Sequence, residues 1–170
     1  MNHKDCHSEA PCLNWYRIDP QVPVPRKATD YSSCVDLVVS FKSFRDPNLI
    51  HNDKDGKRYI VVGSAPTLVG TGLIVDIPMG YELDILIRSG AALKQGLMLV
   101  NSVGVIDEDY VNELGLIIAC HYNSGYTKLY EGQRVAQARL KKRLFWVDNE
   151  VEQPPKTKTN REGGFGSTGI

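Results

Sequence analysis

The sequence predicts an all-β domain, a jelly-roll-like antiparallel sandwich or barrel with one short helix. Two observations carry that expectation. Apolar and polar residues alternate with a period of two along short runs. In "YELDILI", Tyr81, Leu83, Ile85 and Ile87 share one face, and Glu82, Asp84 and Leu86 share the other. Turn signals then separate the runs, at Asp55-Gly56, Pro78-Met79-Gly80, Asn123-Ser124-Gly125 and Glu131-Gly132.

Taken in order, residues 1–14 read as a polar N-terminal tail, and residues 15–150 as the β domain. Strands are expected at "VDLVV" (35–39), "YIVV" (59–62), "TGLIVDI" (71–77), "YELDILI" (81–87), "LMLV" (97–100), "ELGLIIAC" (113–120), "TKLY" (127–130), "VAQARL" (135–140) and "LFWV" (144–147). "SGAALKQG" (89–96) is the helical stretch, about two turns long. Residues 42–58 form a long, charged surface loop that offers a place for a protein partner. "NSVGVIDEDYVNE" (101–113) reads as a hairpin between two strands. Residues 151–170 form a C-terminal arm, with Pro154-Pro155, then Lys and Thr, then a glycine-rich end. This composition buries too little apolar area to fold alone.

Composition narrows the function. At 170 residues the chain has one domain's length, and 42% hydrophobic with 24% charged residues is globular. Lys+Arg and Asp+Glu balance at 20 each, which argues against a nucleic-acid or anionic-membrane surface but leaves room for a phosphate ligand. No apolar run approaches the ~20 residues of a membrane span, and the start lacks a signal peptide's apolar core. Cys6, Cys12, Cys34 and Cys120 show no zinc-type pairing. A reducing, intracellular setting accounts for them most simply.

Read residue by residue, the chemistry is scattered. Arg88 and Ser89 stand at the mouth of the short helix, whose free N–H groups attract an anion, although Ser89 could equally be an ordinary N-cap. Arg134 lies among strand residues, where a structural ion pair is the ordinary role. Asp107, Asp109 and Tyr110 crowd the return limb of the 101–113 hairpin. The end "REGGFGSTGI" sets Arg161, Phe165, Ser167 and Thr168 among glycines, which a plain linker does not need.

Five stretches in this order, "SCVDLVVS", "RSGAALKQGL", "NSVGVIDEDY", "EGQRVAQ" and "REGGFGSTG", resemble the five motifs of the trimeric dUTP pyrophosphatases (dUTPases). The resemblance covers roughly Val22 to Ile170. It implies hydrolysis of dUTP to dUMP and pyrophosphate by water attack on the α-phosphorus, with Mg2+ bound to the triphosphate. It also implies a homotrimer with active sites at subunit interfaces, in a cytoplasmic setting (the host's, for a viral protein). Asp107 then matches the aspartate that orients and deprotonates the water, and Gln137 the glutamine beside that water. Tyr110 matches the aromatic against the deoxyribose, while Asn101 and Gly104 match the hairpin that reads uracil. Arg88, Ser89 and Gly90 match the α/β-phosphate motif, and Asp36 the aspartate that touches magnesium through water.

The resemblance also gives the glycine-rich end a role. It implies an arm that crosses to another subunit, where Phe165 stacks on uracil while Arg161, Gly166, Ser167 and Thr168 close on the γ-phosphate. The chain departs from the family pattern at Cys34-Val35, at Ile87, and in the one-residue-shorter spacing from Arg161 to Phe165. Two other roles fit a relative of this family. One is a dUTP-binding regulator acting through 42–58, and the other is a dCTP deaminase, which "NSVGVIDEDY" and the glycine-rich end do not resemble.

Overall fold

The computed structural model describes residues 10–121, 125–156 and 158. Its strands are β1 (Asn14–Arg17), β2 (Val35–Val38), β3 (His51–Asn52), β4 (Arg58–Gly63), β5 (Thr67–Gly70), β6 (Leu73–Asp76), β7 (Tyr81–Ile87), β8 (Leu97–Leu99), β9 (Gly104–Ile106), β10 (Gly115–Cys120), β11 (Tyr126–Tyr130) and β12 (Arg134–Lys142). One α-helix, α1 (Ser89–Gln95), and a 3-10 turn at Pro47–Leu49 complete the elements. Every strand pairing is antiparallel, in sheets ordered β1-β6, β5-β10-β8, β11-β4-β3 and β2-β12-β7-β9. The all-β, jelly-roll-like expectation holds.

Period-two alternation places the core. Leu83 and Ile85 on β7, Ala136 and Ala138 on β12, and Leu37 on β2 all point inward and are buried. They meet Ile60, Leu116, Ile118 and Leu129 from the other sheets. Each such side chain stabilises the fold by roughly 1.5–3 kcal/mol relative to exposure. The buried polar residues Ser40, Thr71 and Asp84 are satisfied. Ser40 Oγ donates to Asp19 at 2.7 Å, Thr71 Oγ1 donates to the Leu114 carbonyl at 2.9 Å, and Asp84 accepts from Arg139 at 2.7 Å.

The four-stranded sheet positions the site. Opposite the core, its outer face carries cross-strand rungs. Gln137 pairs with Asp36 on one side and Leu86 on the other, Arg139 with Asp84, and Lys141 with Glu82. The register slips between Arg134 and Ala136, a β-bulge that swallows Val135. Arg134 therefore sits opposite Val38, and Gln137 opposite Asp36, on one face of the sheet.

Several expectations change. "LFWV" (144–147) is not a strand. Leu144, Phe145, Trp146 and Val147 follow β12 with at least 73% of their surface exposed, and no strand among the described residues pairs with them. Residues 42–58 are no plain loop either. They contain the 3-10 turn, which Asp46 caps by accepting from Asn48 N–H, and the β3–β4 hairpin, closed by Asp53. The stretch 101–113 is not a simple hairpin. β8 and β10 do pair, but β9 between them crosses to β7 in another sheet. β1 and β5 are short strands that alternation did not single out. Cys12 is disulfide-bonded, against the reading of reduced thiols, whereas Cys34 and Cys120 are in no disulfide.

Candidate active site

Asp36 is the centre of a charged cluster on the outer face of the four-stranded sheet. Arg88 Nε lies 2.8 Å from its Oδ1, and Arg134 Nη1 lies 3.1 Å from its Oδ2. Arg88 also donates through Nη1 to the Arg134 carbonyl at 3.3 Å, and its N–H donates to the Val135 carbonyl at 2.9 Å. Gln137 donates to the Ile87 carbonyl at 3.4 Å. The sequence brings these groups together through three devices. The β12 bulge puts Arg134 and Gln137 on one face, β2 supplies Asp36 directly opposite Gln137, and β7 ends one residue before Arg88.

These residues line a cleft of about 640 Å³, which Arg26, Cys34 and the Pro23–Pro25 segment also border. Three arginines against one carboxylate leave the cleft cationic in a chain of zero formal charge. The ion pairs are open to water: Asp36 is 31% exposed and Arg134 63%. Exposed pairs of this kind are weak, so a multiply charged anion can draw the arginines away.

Next to the cleft, α1 presents its N-terminus. Arg88 is the N-cap, with extended backbone, and Ser89 is the first helical residue; the alternative of Ser89 as N-cap is thereby ruled out. The first helical bond runs from Ala92 N–H to the Arg88 carbonyl, so the N–H groups of Ser89, Gly90 and Ala91 precede the ladder. Ser89 and Gly90 are exposed, and open space surrounds the position a Gly90 Cβ would take.

The 101–113 segment forms a second, separate group. Its tip is tightly wound. Ser102 N–H donates to the Leu99 carbonyl, Val103 N–H to the Asn101 carbonyl, and Ser102 holds φ at 61°. Ser102 is the sole positive-φ residue other than glycine among the described residues. Gly104 is pressed between Ile85 and the Asn101 amide, where a Cβ would come within 3.3–3.4 Å of both. On the return limb Asp107 is exposed, and its carboxylate makes no hydrogen bond or ion pair among the described residues. Tyr110 folds back, its N–H donating to the Asp107 carbonyl and its hydroxyl to the Glu113 carbonyl. Glu113 in turn accepts from Gly72 N–H at 2.7 Å.

The two groups do not meet within one chain. Gln137 stands level with Leu86, and Asp107, one residue past β9, stands level with Glu82. Two strand spacings across and four residues along put their backbones about 16 Å apart. Arg161, Phe165, Gly166, Ser167 and Thr168 lie outside the described residues. The structural ion pair expected of Arg134 is present, with Asp36 of the same chain as its partner. Sequence reasoning did not find Glu108 and Arg143, which pair at 3.3 Å beside Asp107, although "DEDY" showed an acid at 108.

Among the described residues no three His, Cys, Asp or Glu side chains gather as a metal cage. Asp36 alone, with both oxygens on arginines, fits contact through water with a metal that phosphates already hold.

An antiparallel β fold carrying a cationic, carboxylate-centred cleft beside a helix N-terminus defines a protein built to hold a phosphorylated ligand. Comparison makes this specific. The model of the dUTPase family matches residues 56–169, and the chain belongs to that family. Its relatives include the deoxyuridine 5'-triphosphate nucleotidohydrolase of Syntrophotalea carbinolica, 42% identical over 111 residues, or 65% of this chain and 74% of that protein. The enzyme of the same name from Finegoldia magna is 42% identical over 103 residues, covering 61% and 71%. Among solved structures, a Staphylococcus bacteriophage 80alpha dUTPase mutant with dUpNHpp superimposes with a TM-score of 0.73 at 18% identity, covering 94% of this chain and 99% of that one. A mutant dUTPase from phage phi11 of S. aureus, described with a structural Mg(II) ion, gives 0.66 at 17% identity, covering 84% and 97%. At such identities the structures attest the fold.

Proposed function

We propose that this chain is a dUTP diphosphatase that converts dUTP and water to dUMP and pyrophosphate. The observation that carries the reading is the Asp36–Arg88–Arg134–Gln137 cleft, found on a chain of the dUTPase family. Arg88, with the free N–H groups of Ser89 and Gly90, takes the α- and β-phosphates. Charge-assisted donors of this kind bind phosphate more tightly than neutral ones. Mg2+ bound to the triphosphate would neutralise charge as it develops at the α-phosphorus, with Asp36 holding its water shell.

Asp107 orients the attacking water and takes its proton, a role suited to its exposed carboxylate with no partner among the described residues. Gln137 stands beside the same water and the phosphates. The Asn101–Gly104 tip reads the uracil edge through main-chain groups. Tyr110 lies along the deoxyribose and leaves no room for a 2′-hydroxyl, and a pocket that pairs a buried polar edge rejects mismatched bases strongly. Phe165 covers the base, and Arg161, Gly166, Ser167 and Thr168 close on the γ-phosphate.

Because Asp107 and Gln137 stand about 16 Å apart on one sheet, one phosphate cannot use both from a single chain. The site is completed between copies, and a homotrimer with an exchanged arm supplies it. This reaction keeps uracil out of DNA and supplies dUMP, and no described helix is long and apolar enough to cross a membrane. The test is pyrophosphate release with Mg2+ from dUTP, with UTP, dCTP and dTTP alongside and ammonia release followed from dCTP. Turnover of dUTP alone is expected. Ammonia from dCTP, or binding of dUTP without turnover, would overturn the reading.

A further inference from the structure

Gly80 is gripped from both sides. Its N–H donates to Glu108 Oε2 at 2.7 Å, and its carbonyl accepts from the Arg143 N–H at 2.9 Å. Arg143 Nη2 then lies 3.3 Å from Glu108 Oε1, closing a ring of three contacts. The Arg143 guanidinium also sits 4.6 Å from the centre of the Phe145 ring. Three separated parts of the chain thus converge: the turn before β7, the limb that carries Asp107, and the point where the C-terminal arm leaves β12.

Arg143 Nε is the one buried side-chain nitrogen or oxygen without a partner among the described residues. Glu108 is, moreover, the residue directly after Asp107, so whatever holds Glu108 sets where the Asp107 carboxylate stands.

We propose that Glu108 and Arg143 are positioning residues. Their ion pair clasps the root of the arm to the residue following the proposed base and fixes Asp107 for attack. The inference rests on the reading of Asp107 as the base in dUTP hydrolysis, and it gives the arm a second role, in placing the base.

The test compares E108Q, R143A, their double variant and R143K in the full chain, by steady-state turnover of Mg-dUTP and by amide hydrogen exchange. For either single charge removal, kcat is expected to fall about ten- to a hundredfold with KM nearly unchanged, the scale of a misplaced catalytic group. The double variant should lose no more than the worse single, and R143K should keep most of the activity. Exchange over 107–112 should quicken in E108Q and R143A while β10 keeps its protection, which separates a local clasp from general destabilisation. Activity within about twofold of the parent, or losses that multiply in the double variant, would overturn the clasp. So would unchanged exchange over 107–112. A parent chain that leaves dUTP intact would instead overturn the functional reading.

Discussion

Two carboxylates at residue scale have opposite settings, and each setting makes a prediction. Asp107 is exposed, with its carboxylate unpaired among the described residues, while Asp36 is held by two arginines. Asp107→Asn keeps the shape and the accepting oxygen but cannot take a proton. Turnover should fall by about 10²–10⁴, the usual worth of a general base, with dUTP-analogue affinity within a few-fold by calorimetry; normal turnover would remove Asp107 from that role. Asp36→Asn frees Arg88 and Arg134. Inorganic pyrophosphate without metal should then bind about 1.4- to fivefold more tightly, the fold-change matching the roughly 0.2–1 kcal/mol of an exposed ion pair. Weaker binding would show that Asp36 presents the arginines instead of competing for them. Both aspartates were legible in the sequence because each lies in a motif. The Asp36–Arg134 pair was not, since it spans 98 positions and depends on a register no local pattern reveals.

Elements show where sequence reading succeeds and where it fails. β7 and β12 were plain, because long runs with one buried face alternate cleanly. β9 was missed because three residues, Gly104–Ile106, give too little alternation to see, and "LFWV" misled because apolar content does not supply a pairing partner. The turn before β7 was legible from Pro78-Met79-Gly80. There Tyr81 N–H bonds the Pro78 carbonyl and Gly80 takes φ of 81°, a type II geometry. Gly80→Val should therefore lower stability by about 1–2 kcal/mol, seen as a lower melting temperature; no change would mean that the turn relaxes freely.

The β7–β12 rungs give an alkaline signature. The hydrogen bond from Lys141 to Glu82, and then the charge of Glu82, raise the lysine above its ordinary 10.5. A raised folded-state value stabilises below the unfolded value and loses that contribution as pH climbs through the folded one. Glu82→Gln should melt below the parent at neutral pH, with the gap closing only above about pH 10.5. A gap that stays constant would exclude the rung as its source.

For the whole molecule, the strands and the order of motifs were readable and the resemblance implied a site between subunits, yet the spacing that calls for one was not. Sequence order says nothing of the roughly 16 Å between Asp107 and Gln137, which follows only from register. Removing residues 161–170 should cost nearly all turnover while light scattering still returns the mass of the same oligomer, because the described core is built from residues between Leu13 and Leu140. Full activity would deny the arm its role as a lid, and a drop in mass would make it the assembly device.

The bulge at Val135 has a further meaning. A strand reverses its sidedness with each residue, so residues three apart ordinarily look in opposite directions. The cleft needs Arg134 and Gln137 to look the same way, and Val135, the residue the ladder skips, makes that so. The count of residues here matters as much as their identity. Losing one codon at Val135 would leave both side chains in the protein and turn one of them inward, so the gene can disarm this cleft by shortening it without changing a single charge.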